Sequence, residues 1–534
     1  MDEIADDVPM RIGERAGGAK RCWAVTRQGL VGLSLALACQ SALAQAMYRI
    51  KPLGSLGGCT FYNPTAYGFN RAGQVTGEAC NANGDNHAFL WKNDGKPMVD
   101  LGPNENGSFS RGTAINDDGL VTGLVEDNTP GSHAFLSSGD GTPMTRILDG
   151  LGGDYIEPTS INVLGQFTGD ASIADNTTTH AFAWMNDGTA MRDLGSLGGR
   201  DTTGTAINAL GQVTGYSRLA DNTHYHAFVW KNDGTPMQDL GTLGGEASSG
   251  RFINATGQVA GTSDLKVLPN GNLKHHAFLW RNDGTPMQDI GALGAGQSFT
   301  NALNDSGQIA GVSYYKLGKN ATHAFVWLND GNPMTDLGTF GGTQSASNDI
   351  NALGQVTGWA NPAGNLSQHA FIWRNDGTRA QDLNKLIDPT DPLKPYITLT
   401  NGQFINDSGD VLAQGSDSRT GQGGLYLVHG TIITLTPRSL AFGNEAINTS
   451  SAAQTVTVKN TSPRAAAIAS IKLAGTGANQ FSFTDNCPGS LAGKAMCTIN
   501  VKFKPTTKGA KLASLSVNGG GGGLRVVNLT GTGS

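Results

Sequence analysis

Short apolar runs alternate along this chain with turns rich in glycine and asparagine, and they do so at a fixed period. His-Ala-Phe occurs at His87, His133, His180, His226, His276, His323 and His369, with successive spacings of 46, 47, 46, 50, 47 and 46 residues. A second pattern, Asn-x-x-Gly-x-Val or close to it, recurs eight times, at Asn70, Asn116, Asn162, Asn208, Asn254, Asn304, Asn351 and Asn406. In the eighth unit Leu425-Tyr426-Leu427 stands where His-Ala-Phe is expected. Self-similarity at this period is the signature of a repeat architecture.

The clearest unit divides into four short strands: Thr205–Asn208, Gln212–Gly215, His226–Trp230 and Pro236–Leu240. Asn208-Ala-Leu-Gly211 joins the first two with the residues that a tight turn favours at its first and fourth places. Asn232-Asp233-Gly234 reads as a three-residue hairpin loop with glycine where φ is positive. His-Ala-Phe-Val-Trp is nearly continuously apolar, so this strand should be buried on both faces. A four-stranded sheet packed between like neighbours is a propeller blade. A flat solenoid is the alternative, but four antiparallel strands in ~45 residues suit a blade better. The pattern predicts eight blades, with seven as the alternative count. Tyr48–Gly54 and Thr431–Leu435 both resemble the outer strand of a unit, so both are candidates for one blade, one of them closing it as a latch.

From Pro437 the period breaks. Seven alternating segments follow, Ser439–Gly443, Gln454–Lys459, Ile468–Leu473, Gln480–Thr484, Cys497–Lys504, Lys511–Asn518 and Leu524–Thr530. Seven short strands in about 95 residues predict an immunoglobulin-like sandwich. The fold class is therefore all-β: a propeller of four-stranded repeats over 45–436 and a sandwich over 437–534.

The N-terminus changes the picture of where this happens. Lys20, Arg21 and Arg27 precede the apolar run Gly29–Cys39, and Ala42-Leu43-Ala44 supplies a small-x-small cleavage site. This is the order of a secretory signal, expected to span 1–44 and leave Gln45 as the mature N-terminus. Eleven apolar residues are too few to span a bilayer, which takes about 20. Export to the periplasm, the cell surface or the medium is the expectation, with no transmembrane segment in the mature chain. The remaining cysteines, Cys59, Cys80, Cys487 and Cys497, then pair most simply as two local bridges, Cys59–Cys80 and Cys487–Cys497.

Glycine supplies 76 of 534 residues, about twice average usage, as many tight turns require. The net charge of −6 is uneven: Pro437–Ser534 holds ten Lys and Arg against two Asp and Glu, and the first 44 residues hold five of each sign. The repeats accordingly carry −14 and the C-terminal segment +8. An acidic repeat array without a basic recognition motif argues against nucleic acid as a partner.

His-Ala-Phe-x-Trp, Asn-Asp-Gly, Asp-Leu-Gly-x-Leu-Gly-Gly and Ile-Asn-x-x-Gly-Gln-Val-x-Gly, taken together over about Met47–Leu435, resemble the bacterial extracellular HAF-repeat family. Asp382-Leu-Asn-Lys-Leu-Ile-Asp388 resembles the approach to that family's last repeat. The resemblance implies export and no established activity. Leu440-Ala-Phe-Gly-Asn444, the Cys487…Cys497-Thr-Ile-Asn-Val-Lys-Phe-Lys-Pro505 segment and Leu529-Thr-Gly-Thr-Gly533 resemble Hydin-like (ASH-type) domains, which implies a spacer or adhesion module.

No catalytic set stands out. One metal or catalytic site has no need of its histidine copied around a ring, so the repeated His is expected to make a repeated buried hydrogen bond. The Asn-Asp-Gly turns lack the spaced acidic ligands of an EF-hand, and turn chemistry accounts for them without metal. The Leu-Gly-Gly segments precede no helix, so they are not phosphate loops. Among unrepeated residues, Asp221, His224, Tyr225 and His275 sit in variable loops. One position does break the repeat in every unit, the residue after Val-x-Gly: Glu78, Leu124, Asp170, Tyr216, Thr262, Val312, Trp359 and Gln414. Its variety predicts exposure at a strand end and hence a rim, where Tyr216, Trp359, Glu78 and Asp170 would suit a polysaccharide or a peptide. Two functions follow: a non-catalytic extracellular binding or scaffold module, or a hydrolase or lyase in the central funnel. The second requires unrepeated polar residues from different blades to converge.

Overall fold

The computed structural model describes Tyr48–Ser534, apart from 60–62, 104–108, 127–129, 143, 148–149, 267–273, 295, 316–320, 366, 390, 431–432, 438, 461–465, 469, 476 and 519–523. The expected signal sequence and its cleavage site lie outside the described residues.

Each repeat builds one four-stranded antiparallel sheet, and there are eight such sheets. In the fourth, Gly198–Ile207, Val213–Leu219, Tyr225–Trp230 and Gln238–Asp239 pair in chain order. The first strand is longer than the pattern implied. Gly198 lies at φ +106, so the Leu-Gly-Gly segment turns straight into the strand instead of ending before it. The outer strand is shorter, because it pairs with the third only at Phe228↔Asp239 and Val229↔Gln238. The third and fourth sheets touch through one parallel bridge, Thr179↔Asp201, and the sixth and seventh through another, Thr322↔Gln344.

The apolar core lies between successive sheets. Ala181, Ala183 and Met185 of the third sheet meet Val213, Phe228 and Trp230 of the fourth, and Ala227 and Val229 of the fourth meet Val259, Phe278 and Trp280 of the fifth. Small alanines on one face receive the large rings of the next, which is why Ala and Phe alternate in His-Ala-Phe. Each fully buried Phe contributes about 1.5–3 kcal/mol. The glycine of Val-x-Gly has its own reason: a Cβ on Gly215 would lie 1.9 Å from the Thr203 carbonyl oxygen and 2.9 Å from the Phe228 ring.

The eighth sheet contains Ile397–Ile405, Val411–Asp417 and Gln422–Gly430, and its fourth strand is Tyr48–Pro52 from the start of the repeats. Of the two latch candidates, the N-terminal one takes the place. Ile433–Thr436 instead pairs with Gln454–Asn460, so the domain boundary expected at Thr436/Pro437 shifts a few residues towards the N-terminus. The latch is held by Ile50 N–H donating to Asp391 at 3.0 Å and by an Arg49–Asp388 ion pair at 2.6 Å. Leu412, Leu425 and Leu427 of the eighth sheet pack on Val75, Phe89 and Trp91 of the first. A short helix, Leu383–Leu386, capped by Asp382, leads into the eighth sheet.

The repeated asparagines tie these sheets together. Asn208 accepts the Leu210 and Gln212 amides, closing its own turn, and donates to Gln212 Oε1 and to the Asn254 carbonyl of the next turn. The carboxamide thus uses all of its hydrogen-bonding capacity. The inter-turn bond is made by Asn70, Asn116, Asn162, Asn208, Asn254, Asn304 and Asn351, each to the next asparagine carbonyl. Asn406 then donates to the Arg71 carbonyl, returning the series to its first turn.

The C-terminal region is a sandwich of two sheets. One orders Ile433–Thr436, Gln454–Asn460, Met496–Phe503 and Phe481–Asp485; the other orders Ser439–Glu445, Leu524–Gly533, Gly509–Asn518 and Ser470–Ala474. Val456, Val458, Ile499, Val501, Phe503, Val517 and Val527 fill the space between them. Cys59–Cys80 and Cys487–Cys497 are both disulfide-bonded. No helix among the described residues is long and apolar enough to cross a membrane.

Asn208→Ala should cost about 1–3 kcal/mol, the penalty for leaving buried backbone partners unsatisfied. Leu210→Ala in the same turn, where the side chain is 62% exposed, should leave the melting temperature nearly unchanged. Thermal melts of the two variants compare them directly, and equal destabilisation would remove the asparagine from its central role.

Candidate functional site

The repeated histidine has a repeated partner. His87, His180, His226, His276, His323 and His369 each place Nδ1 at 2.8–3.0 Å from the carboxylate of Asp100, Asp193, Asp239, Asp289, Asp336 and Asp382. The partner is always 13 residues on, across the pair of outer strands: the Asp of Asp-Leu-Gly in four units, of Asp289-Ile-Gly and of Asp382-Leu-Asn in the other two. The expectation of a buried bond needs correction: the His226 side chain is 19% exposed and Asp239 is 42% exposed. His87 alone among these six is fully buried, and Asn81 also contacts its ring. Burial works to raise the Asp289 and Asp336 carboxyls, but the His276 and His323 rings and the Gly291 and Gly338 amides hold them below the ordinary value. The unit with His133 carries Arg146 where the aspartate would fall.

The expected rim is not a rim. Its eight positions lie within the second strand of each sheet, flanked on both sides by paired strands, as Glu78 is by Thr65 and Ala88. Glu78 and Leu124 are buried at 7% and 5% exposure, so an exposed strand end is excluded for them. Asp170, Tyr216 and Trp359 are half-buried. Tyr216 and Trp359 belong to the fourth and seventh sheets, and the Tyr216 ring contacts Tyr225 at 5.7 Å. On the first strands the paired residues are themselves unrepeated: Thr65, Arg111, Glu157, Thr203, Ser249, Phe299, Ala346 and Asn401.

Glu78 and Asp170 do come together, through residues the sequence reading passed over. Glu157 is the cross-strand partner of Asp170. Arg111 of the second sheet ion-pairs with Glu157 and lies 5.5 Å over the Tyr67 ring. Tyr67 donates to Glu78 at 3.4 Å, and Tyr155 donates to Glu157 at 2.9 Å beside Asp170. Three sheets thus contribute one network of two tyrosines, three carboxyls and one guanidinium. Burial first, then the Glu157 charge, pushes the Asp170 carboxyl up to about 7. Burial and the Asp170 charge likewise raise the Tyr155 hydroxyl. Inter-unit register could have revealed the network: Tyr67, Arg111 and Glu157 all depart from the repeat on the strand that precedes the Asn turn.

The loop candidates form smaller sets. His224 Nδ1 pairs with Asp221 and Nε2 lies 3.3 Å from Glu246, while His275 pairs with Asp264. Among the described residues no group of three His, Cys, Asp or Glu is placed to hold a metal ion.

The exposed apolar residues of the repeats divide by position. Val163, Leu164, Leu210 and Leu353 lie in the Asn turns, and the asparagines of all eight turns, with Val163, line a cavity of about 410 Å³. The exposed aromatics are tyrosines, each 38–42% exposed: Tyr67, Tyr155, Tyr225, Tyr314, Tyr315 and Tyr396. Tyr225 opens a third strand, Tyr314 and Tyr315 close a second strand, and Tyr396 precedes a first strand, all at the end opposite the Asn turns. Tyr67 and Tyr155 stand on the first strands, within the polar network.

Residues 432–523 match the model of the ASH domain (Abnormal spindle-like microcephaly-assoc'd, ASPM-SPD-2-Hydin). Among solved structures, the ASH/PapD-like domain 7 of human CEP192 aligns at 11% identity over 19% of this chain and 84% of that one, with a TM-score of 0.15. A TolB from Agrobacterium tumefaciens aligns at 13% identity over 61% and 97%, TM-score 0.29, and YCF48 bound to D1 peptide at 10% over 72% and 96%, TM-score 0.34. No curated protein matches the sequence.

Two outcomes check this geometry. The His226–Asp239 pair, being partly exposed, should show a coupling of about 0.5–1 kcal/mol in a double-mutant cycle with His226→Ala and Asp239→Ala. A coupling near zero would make the repeated pair incidental. Asp170 binds its proton more tightly folded than unfolded, so its stabilising contribution is complete at low pH and is lost as pH rises through about 7. Asp170→Asn should therefore raise the melting temperature relative to the native chain at pH 8, and the advantage should shrink towards pH 4.

Proposed function

We propose that this is an exported, non-catalytic binding or scaffold protein of the bacterial extracellular HAF-repeat kind. In this reading the eight sheets are the blades of a closed eight-bladed propeller, and the ASH-type domain is its spacer. The two disulfides support an oxidising compartment. The observation that carries the reading is the segregation of exposed tyrosines to the first strands and to the end opposite the Asn turns. Tyrosine gives rigid, amphipathic contact area at low entropic cost, which suits an extended polysaccharide or a protein surface. Tyr67 and Tyr155, with Arg111 and Glu157 between them, are the proposed centre, in place of Tyr216 and Trp359.

A second reading has a specific observation behind it. Unrepeated polar residues from three sheets do converge, and Asp170 holds a proton near neutral pH directly across from Glu157. A carboxyl pair with separated proton affinities is the equipment of a hydrolase or lyase.

The test is co-sedimentation of the full chain with purified insoluble bacterial cell-surface polysaccharide. Tyr67→Ala with Tyr155→Ala should weaken binding at least about tenfold, a loss of about 1.4 kcal/mol, measured well below a melting temperature that loss of the Glu78 and Glu157 partners should itself lower. Full retention by the double variant would end the platform reading. Release of soluble sugar that Asp170→Asn abolishes would establish the enzymatic one.

A further inference from the structure

We propose that a cavity at the seam between the first and eighth repeats binds one uncharged hexopyranose unit, either a free sugar or the end of a glycan chain. The cavity shares no residue with the Tyr67–Arg111–Tyr155 network. It goes beyond the platform reading and does not depend on it.

The seam lacks the His–Asp pair of the framework. In the fourth sheet Phe228 stands opposite Gly215 on one side and Asp239 on the other. In the eighth sheet Tyr426 takes that place, opposite Ala413 and Pro52. The aspartate position therefore holds a proline, and the histidine position, two residues before the ring, holds Gly424. Ala413 also replaces the glycine that Phe228 covers. The Tyr426 side chain lies instead over Gly415 and Gly424, where a Cβ would come within 3.1 and 3.3 Å of it. Two residues without a polar side chain thus stand where six other sheets carry a hydrogen-bonded pair. Both of them, with Tyr426, line a cavity of about 320 Å³.

Tyr426 is the observation that points to a ligand. It is 6% exposed, yet its hydroxyl has no hydrogen-bond partner among the described residues. Seven sheets fill this position with phenylalanine, so packing does not require the oxygen. Burial, then the Asp417 charge, raises the hydroxyl above its ordinary pKa, which keeps it a donor. A buried donor without a partner is costly, and a ligand that accepts from it removes the cost. Charge then narrows the class. Asp417, the one acidic residue among the described residues of the wall, is already engaged by the Arg419 amide and guanidinium. That guanidinium also lies 4.7 Å over the Tyr396 ring. The ion pair is matched, so a charged ligand finds no opposite charge without breaking it. An apolar ligand would leave the Tyr426 hydroxyl unsatisfied. Sugar hydroxyls both donate and accept, as Tyr426, Asn63 and Thr420 on the wall can, while Pro52, Pro64 and Leu425 offer apolar surface to the C–H faces of the ring. The volume lies at the small end for ligand pockets, roughly 300–1,000 Å³, which limits the occupant to about one ring.

Calorimetric titration of the full chain with the methyl glycosides of glucose, galactose and mannose, and with glucuronate, glucosamine and cyclohexanol, tests the site. At least one methyl hexoside should bind at least about tenfold more tightly than each of the other three compounds. Tyr426→Phe should weaken that hexoside about tenfold with no fall in melting temperature, because it deletes a buried hydroxyl that has no partner. Ser55→Trp, at an exposed position on the wall, is the second variant and should abolish binding by filling the cavity. Tyr67→Ala with Tyr155→Ala should leave the affinity unchanged, and a loss there would move the hexoside to the platform and overturn the cavity. Absence of binding by all three hexosides would overturn the proposal, as would equal affinity for cyclohexanol or tighter binding of glucuronate or glucosamine. Full affinity in Tyr426→Phe, or a lowered melting temperature, would remove the hydroxyl from the argument and the proposal with it. The corresponding disaccharide separates the two sources: tighter binding than the monosaccharide supports a chain end, and equal or weaker binding supports a free sugar.

Discussion

The carboxamide of one repeated asparagine is the constraint on which the rest of the molecule depends. A four-stranded sheet of this length exposes two apolar faces and buries neither alone. It becomes stable only when its neighbours are set at a fixed distance and angle. Asn208 does both parts of that task. Its oxygen closes the turn between the first two strands, and its nitrogen donates to the backbone carbonyl of Asn254 in the next turn. With the turns spaced in this way, Phe228 reaches Ala181 and Ala183 of the preceding sheet. The glycine of Val-x-Gly and the alanine of His-Ala-Phe are then required, because the spacing leaves no volume for anything larger. Buried amides left without this partner would each cost more than a surface contact returns, which explains why the motif is Asn-x-x-Gly and not simply polar.

Repetition made most of this legible in the sequence. Eight copies of one turn and seven of one strand reveal period, strand count and the buried face. The disulfide pairs followed from their loops being local. What was not legible depends on register between units. The Asp that meets His226 lies 13 residues away at every occurrence, a constant spacing present in the sequence, but only strand pairing gives that spacing meaning. The rim failed for a related reason: tolerance of Glu, Tyr and Trp at one position was read as exposure. Glu78 is buried and still tolerated, because Tyr67 of its own unit supplies its partner. Variety at this position is compatible with burial where a nearby residue supplies the partner.

The same distinction separates structure from candidate chemistry. Groups that recur, His226 with Asp239 or Asn208 with Asn254, serve the framework, since a framework needs them once per sheet. Arg111, Glu157, Tyr155 and Asp170 occur once each in their roles. Their arrangement also works against stability: two carboxyls lie directly opposite in a sheet, one of them largely removed from water, and the proton stays on Asp170 up to about 7. A framework under no other demand would place a threonine or serine there, as the fifth sheet does with Ser249 opposite Thr262. Local electrostatic cost without structural return sets this network, drawn from three of the eight sheets, apart from the repeated framework.

The eighth repeat departs from the others for a different reason: it is where the first described strand pairs with the last repeat. Its His-Ala-Phe is replaced by Leu425-Tyr426-Leu427, and its outer strand comes from Tyr48–Pro52, so the usual His–Asp bond has no aspartate to find. Where most turns carry glutamine after the glycine, it carries Asp410, buried and pushed up in proton affinity chiefly by that burial, with His429 and Arg525 pulling the other way. Arg525 belongs to the last strand of the sandwich. It donates to the Ser408 carbonyl of the eighth turn at 2.7 Å and to the Ile433 carbonyl at 3.1 Å. One arginine therefore binds the turn that closes the asparagine series and the strand that opens the next domain. Asp410, in place of the usual glutamine, lies close enough to this arginine for the guanidinium to oppose the effect of burial on its carboxyl. The ASH-type domain thus meets the eighth repeat through Arg525, which spans the turn and the domain's first strand.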